Sequence, residues 1–202
     1  MNGVERYVSA DELTLVRFEP QVEGVDDSII DSILDSPNFL RGVSRMSRES
    51  LLGSEAVYVA WANQTDDSDP VFAGAIQQVN TGFESRIGQN DYKLHHLSGI
   101  VVASALKENG QGIARKLIST AVNEEEHASR NDEKRHTVLF AVARSGEKRN
   151  FTESGMIPIR DLSSYRTIMA HKPSWRDYLS WLTLGRSDAG LRIRQLIEQK
   201  EI

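Results

Sequence analysis

Residues 94–122 read LHHLSGIVVASALKENGQGIARKLISTAV. The first ten are an apolar, β-rich run; a glycine-containing segment follows, and then Ile113, Leu117, Ala121 and Val122 recur at helical spacing. Strand, glycine loop and helix in that order form a phosphate-binding arrangement. Glycines at the junction let backbone N–H groups come close to phosphate oxygens, and the first turn of a helix attracts anions. Two phosphate loops are excluded. A Walker loop requires Gly-Lys-Ser/Thr, and a dinucleotide fingerprint requires a third small residue where Arg115 stands.

Upstream, LTLVRF at 13–18 reads as a strand that Pro20 would end, because proline cannot donate to a ladder. Val25, Ile29, Ile30, Ile33 and Leu34 lie on one helical face, opened by Asp26 and Asp27, and a short helix is expected over 47–52 without a full capping box. The runs AVYVAWA (56–62) and VFAGAIQQV (71–79), joined by a turn-forming segment, should pair antiparallel. Downstream, HTVLFAVARS at 136–145 suits a strand covered on both faces and should lie beside the 94–103 run. A short helix ending at Gly155 and the strands MIPI and YRTIMA complete the order β, α, α, β, β, β, α, β, α, β, β. Beyond Pro173, apolar residues every three or four positions indicate one or two added helices, with Trp175, Tyr178, Trp181 and Leu182 as an aromatic face that packs on the domain or forms a homodimer contact.

A chain of 202 residues fits one domain with short additions. Hydrophobic residues at 39% and charged residues at 26% are those of a globular protein. The formal charge of -5 argues against broad capture of nucleic acid or of an anionic membrane. The absence of cysteine excludes disulfides, thiolate metal sites and a cysteine nucleophile. No stretch approaches the roughly 18 apolar residues of a spanning helix, and the polar N-terminus lacks a signal core, so a cytoplasmic protein is expected. No HExxH spacing occurs, and adjacent His95 and His96 would diverge on a strand, so no metal is implied.

The segment Asn109-Gly110-Gln111-Gly112-Ile113-Ala114 resembles the pyrophosphate loop of the GNAT (GCN5-related N-acetyltransferase) superfamily, Gln/Arg-x-x-Gly-x-Gly/Ala between a strand and a long helix. Gly112, Ile113 and Ala114 match, and Asn109 departs. The element order from Leu13 to Ala170 is also similar to that fold, and Phe151-Thr152-Glu153-Ser154-Gly155-Met156 resembles the family's aromatic-x-x-x-Gly-Phe segment. The resemblance implies an α/β (α+β) GNAT fold over 1–173: a mixed, mostly antiparallel sheet splayed at the acyl-CoA site, with helices on both faces and a helical extension over 174–202. It implies an N-acyltransferase that moves an acetyl group from acetyl-CoA, as co-substrate, to a primary amine in a ternary complex. Pantetheine would lie along the backbone of Ile100, Val101, Val102 and Ala103, and the loop amides would hold pyrophosphate. Lys107, Arg115, Lys148 and Arg149 are candidates to neutralise phosphates.

Acyl transfer needs a neutral amine, a polarised carbonyl and a proton for the departing thiolate. Family members often place a glutamate on the strand where this chain has His96, and imidazole titrates near neutrality, so His96 is the first candidate base and Glu84 the second. Phe151 occupies the position where many members carry a tyrosine that protonates the thiolate. A substitute hydroxyl such as Tyr165 or Ser145, a water route, or lost catalysis would follow; Phe151 could equally be core packing. The alternative function is a non-catalytic GNAT-fold domain that binds acyl-CoA or a partner. A carrier-protein-dependent synthase on the same fold is disfavoured by the retained Gly112-Ile113-Ala114. The acceptor's identity has no readable code.

Overall fold

The computed structural model describes residues 13–22, 25–36, 46–63, 69–103, 110–131, 136–171 and 178–199. In chain order the elements are β1 (Leu13–Phe18), α1 (Asp27–Asp35), α2 (Arg48–Leu52), β2 (Ala56–Ala62), β3 (Val71–Ile87), β4 (Asn90–Val102), α3 (Gly110–Asn131), β5 (Thr137–Arg144), α4 (Lys148–Glu153), β6 (Ile157–Ser163), β7 (Arg166–Ala170), α5 (Tyr178–Ser180), a π-helical turn (Trp181–Gly185) and α6 (Arg186–Glu198). The seven strands follow the order β1-β2-β3-β4-β5-β7-β6. β2 pairs antiparallel with both β1 and β3, β7 antiparallel with both β5 and β6, and β4 runs parallel to β5.

The residues cluster into two compact units, Met1–Val79 with Ser98–Ile118, and Asn80–Leu97 with Ser119–Ile202. In the first unit, α1 starts where the Asp26 carboxylate accepts the Ser28 N–H at 2.7 Å. It buries Ile30 and Ile33 with Met46, Leu51, Val57, Val59 and Phe72. α2 carries a full capping box, contrary to the sequence expectation: Ser47 Oγ accepts the Ser50 N–H, and Ser50 Oγ accepts the Ser47 N–H. A serine at the third helical position does the work usually given to glutamate or glutamine, which hides the box from the usual pattern.

In the second unit the core joins Ile87, Tyr92, Leu94, Phe140 and Ile168 to Trp181, Ile193 and Leu196 of the C-terminal helices. β3 and β4 both run further than the apolar runs suggest, and Gly88 (φ 63°) sits in the tight turn between them. The extra part of β3 has its own inward row, Phe83, Ser85 and Ile87, in which Ser85 is buried because its hydroxyl donates to Asp188 Oδ2 of α6 at 2.7 Å. The same carboxylate oxygen accepts the Arg86 N–H at 3.1 Å. One α6 side chain thus satisfies two donors of the strand.

Candidate functional site

The N-terminal turn of α3 is the first element of interest. The described residues of that turn carry no acidic side chain, so nothing in it offsets the positive end of a 22-residue helix. Gly112 is part-exposed, and among the described residues a Cβ built on it would meet no atom within 4 Å beyond its own helix. Packing therefore does not demand a glycine here; its effect is to leave open space beside the first-turn amides. Ile113, Ala114 and Leu117 anchor the other side of the helix in the core. Gly110 and Gln111 lie in the first turn, Arg115 follows one turn later and is part-buried, and Asn109 and Lys107 lie outside the described residues.

Ile113 and Leu117 rest over Gly74 of β3. A Cβ at Gly74 would stand 2.6 Å from the Val101 carbonyl oxygen and 3.1 Å from Ile113. β3, the end of β4 and the first turns of α3 are in this way pressed together in the first unit. Ile100, Val101, Val102 and Ala103 are all buried, and the Ala103 N–H donates to the Ala73 carbonyl at 2.9 Å. Their side chains are committed to packing, so any recognition by this segment falls to its backbone. Gly99 has φ 60°, a left-handed conformation in mid-strand, and a Cβ there would stand 2.6 Å from Met46.

His96 lies three residues before that break. The β4–β5 ladder covers Lys93–His96 opposite Thr137–Phe140. The His96 ring stacks on Phe140, with centroids 4.9 Å apart and planes inclined by 18°. Part of the ring's surface remains accessible, but dense protein surrounds it, and burial pushes its pKa down from 6.5 to about 4. His96 is therefore neutral at physiological pH and has a lone pair to accept a proton. His95, adjacent on the strand, is buried at 3% exposure.

Glu84 is exposed. Its neighbours Phe83 and Ser85 turn toward α6, so Glu84 projects from the opposite side of β3, while His96 stacks on a member of the α6-side core. The fold does not bring these two candidates together. Phe151 is buried at 4% in α4, and its carbonyl accepts the Ser154 and Met156 N–H groups, so it serves packing and the α4 terminus. Tyr165 is 64% exposed in the β6–β7 turn, and its carbonyl accepts the Ser145 N–H at 3.0 Å. The two hydroxyl residues named as substitute donors are thus neighbours at the end of β5. Lys148 and Arg149 open α4, where Arg149 pairs with Glu153 at 2.6 Å.

Sequence reasoning did not single out His171. Its ring is fully buried, and Nδ1 accepts the Leu139 N–H at 2.8 Å, which requires that nitrogen to be deprotonated. Burial pushes its pKa down. A lone histidine after an apolar strand carries no pattern by which to find it. Among the described residues, no three His, Asp or Glu side chains form a group that could hold a metal, and no helix is long and apolar enough to cross a membrane.

No protein-family model matches the sequence, and no curated protein matches it in sequence. Solved structures do match the fold. An acyl-CoA N-acyltransferase from Pseudomonas aeruginosa superposes with a TM-score of 0.51 at 11% identity, covering 79% of this chain and 99% of that one. The NAA60 protein of Arabidopsis thaliana, solved in complex with acetyl-CoA, gives a TM-score of 0.51 at 12% identity, covering 78% and 99%.

Proposed function

We propose that this chain, which has the fold of the GNAT acyltransferases, is an acyl-CoA-dependent N-acyltransferase that moves an acetyl group to a primary amine. The observation that carries this reading is the open space at Gly112, beside the first-turn amides of a helix whose described first turn bears no acid. Those amides, from Gln111 to Ala114, would hold the pyrophosphate of the co-substrate. The backbone of 100–103 would align its pantetheine arm, since the side chains there are buried. Acyl-CoA supplies a thioester: the amine nitrogen forms a bond to the carbonyl carbon, the C–S bond breaks, and the electron pair leaves on sulfur.

Within that reading His96 is the first candidate to take the proton that the amine loses. Its ring is neutral at working pH and is held by the stack on Phe140. Glu84, on the other side of β3, would act only from a different approach. The departing thiolate receives its proton from water or from Tyr165 or Ser145, because Phe151 has none to give. A thiolate whose conjugate thiol has a pKa of roughly 8.5 leaves tolerably without a dedicated donor. The structure-matched proteins include acyltransferases, which supports catalysis over a purely binding role at the level of the fold.

Calorimetry with acetyl-CoA tests the binding half. Wild-type protein is expected to bind, and Gly112→Glu, which places a carboxylate beside the amides, is expected to lose at least about tenfold in affinity. Equal binding by the two proteins would refute the loop assignment. Turnover of acetyl-CoA across a panel of amines tests the chemical half. Tight binding without turnover on any amine would turn the reading toward a binding module.

A further inference from the structure

Two departures from regular backbone meet in the second unit. The β6–β7 ladder slips between Pro158 and Arg160, so Ile159 and Arg160, adjacent in sequence, both line one open cavity of about 290 Å³. In a regular strand they would point to opposite faces. Facing them, the π-helical turn supplies Leu182 and Thr183. The first half of α6 adds Arg186, Ser187 and Gly190. Bulges and π-turns recur at functional sites because each re-aims side chains at some cost in stability.

The lining has one sign of charge. Arg160 and Arg186 line the cavity, and among the described residues no acidic side chain does. The carboxylates of the same two elements are engaged elsewhere: Asp161 accepts from the Thr167 hydroxyl at 2.6 Å, Asp188 accepts from Ser85 and the Arg86 N–H, and Glu198 pairs with Arg194. Arg186 is fixed by one Nη2–H donated to the Pro158 carbonyl at 2.6 Å, which leaves further N–H groups of its fork. The Arg160 stem packs against Gly190, where a Cβ would stand 3.4 Å from Arg160 Cβ. Two guanidiniums, of which Arg186 is fixed, the Ser187 hydroxyl and an apolar wall (Ile159 and Leu182) match a small organic anion, while the Thr183 hydroxyl donates to the Leu179 and Ser180 carbonyls of its own turn.

We infer that this cavity binds a small molecule with a carboxylate or phosphate group and an apolar body, the oxyanion meeting Arg160 and Arg186 and the body lying on Ile159 and Leu182. The inference is independent of the acyltransferase reading, because none of these residues has a role in it. A carboxylate metabolite and a phosphate ester share this chemistry, so both enter the test.

Amide chemical shifts of the full chain are followed on titration with phenyl phosphate, with phenylacetate and with benzyl alcohol as the uncharged control. The expected result is saturable shifts at Thr183, Ser187 and Gly190 with at least one anion at millimolar concentration, and markedly weaker ones with the alcohol. The anion bound more tightly names the group. Arg160→Gln should lower that affinity about tenfold, since charge-assisted pairs are the strong ones. The Arg160 side chain makes no hydrogen bond or ion pair among the described residues, so the variant should keep its spectrum elsewhere; Arg186→Lys, which keeps the charge, should retain most of the binding. No shifts over 182–190, shifts confined to the first turn of α3, or equal affinity in Arg160→Gln would each overturn the inference.

Discussion

Burial holds His96 as the neutral imidazole at pH 7, with a free lone pair but a lower basicity than an ordinary histidine. The same burial has an energetic consequence. Between pH 6.5 and about 4 the unfolded chain takes up a proton that native His96 refuses, so acid favours unfolding across that window. The stabilising contribution of the neutral ring is whole above pH 6.5 and is lost as pH falls through about 4. The separation of the two values caps the loss at about 3 kcal/mol. Urea titrations of wild type and His96→Gln should show a shallower decline for the variant over that window; parallel curves would mean that the ring is more solvated than its packing implies. If His96 is also the base, the acid limb of kcat/KM lies near pH 4 and vanishes in the variant. A limb near 6.5 that persists in His96→Gln would place the base elsewhere.

At the scale of elements, Gly74 and Gly112 separate packing from ligand space. Gly74→Ala would drive a methyl group into the Val101 carbonyl at 2.6 Å, with Ile113 behind it, so β3, β4 or α3 must shift. We expect a loss of about 1–3 kcal/mol by urea denaturation. Gly112→Ala meets nothing among the described residues and sits in a helix, where alanine is favoured by roughly 0.5–1 kcal/mol; it should leave stability unchanged or raise it while weakening acetyl-CoA binding. The contrast shows what was legible in the sequence. Apolar runs and glycine punctuation revealed every element from β1 to β7, because core positions there are filled by residues whose hydrophobicity announces them, although β6 runs on through Ser163, past the apolar MIPI run, over residues that read as a turn. The far half of β3 escaped because its inward row contains Ser85, a polar residue buried only through a partner 103 residues away. The loop helix was readable from its glycines. The cavity beside β6 was not, since a ladder slip and a π-turn leave no periodic trace.

For the whole molecule, the C-terminal helices described as an extension from sequence supply Trp181, Ala189, Ile193 and Leu196 to the core of the second unit, each at 0% exposure. Removing residues 174–202 would uncover Ile87, Phe140 and Ile168. Burial of each such side chain stabilises by about 1.5–3 kcal/mol, and the total loss is of the order of a domain's entire stability. The truncated chain is expected to be insoluble or to lose cooperative unfolding in calorimetry; a soluble product with a sharp transition would show that the helices are dispensable. Asp188→Ala is the graded version, leaving the buried Ser85 hydroxyl unsatisfied at a cost of about 1–3 kcal/mol in a denaturant titration.

The long reach between Ser85 and Asp188 also bears on how the protein is made. Chains emerge from the ribosome N-terminus first, and a domain settles only when its late contacts are available. Ile87 and Tyr92 of the β3–β4 hairpin leave the exit tunnel long before Trp181, Ile193 and Leu196 exist to cover them. For that interval the nascent chain carries an apolar strand face and an uncapped serine, the kind of surface that chaperones hold. Slower synthesis past the hairpin lengthens the time for which that face stays uncovered.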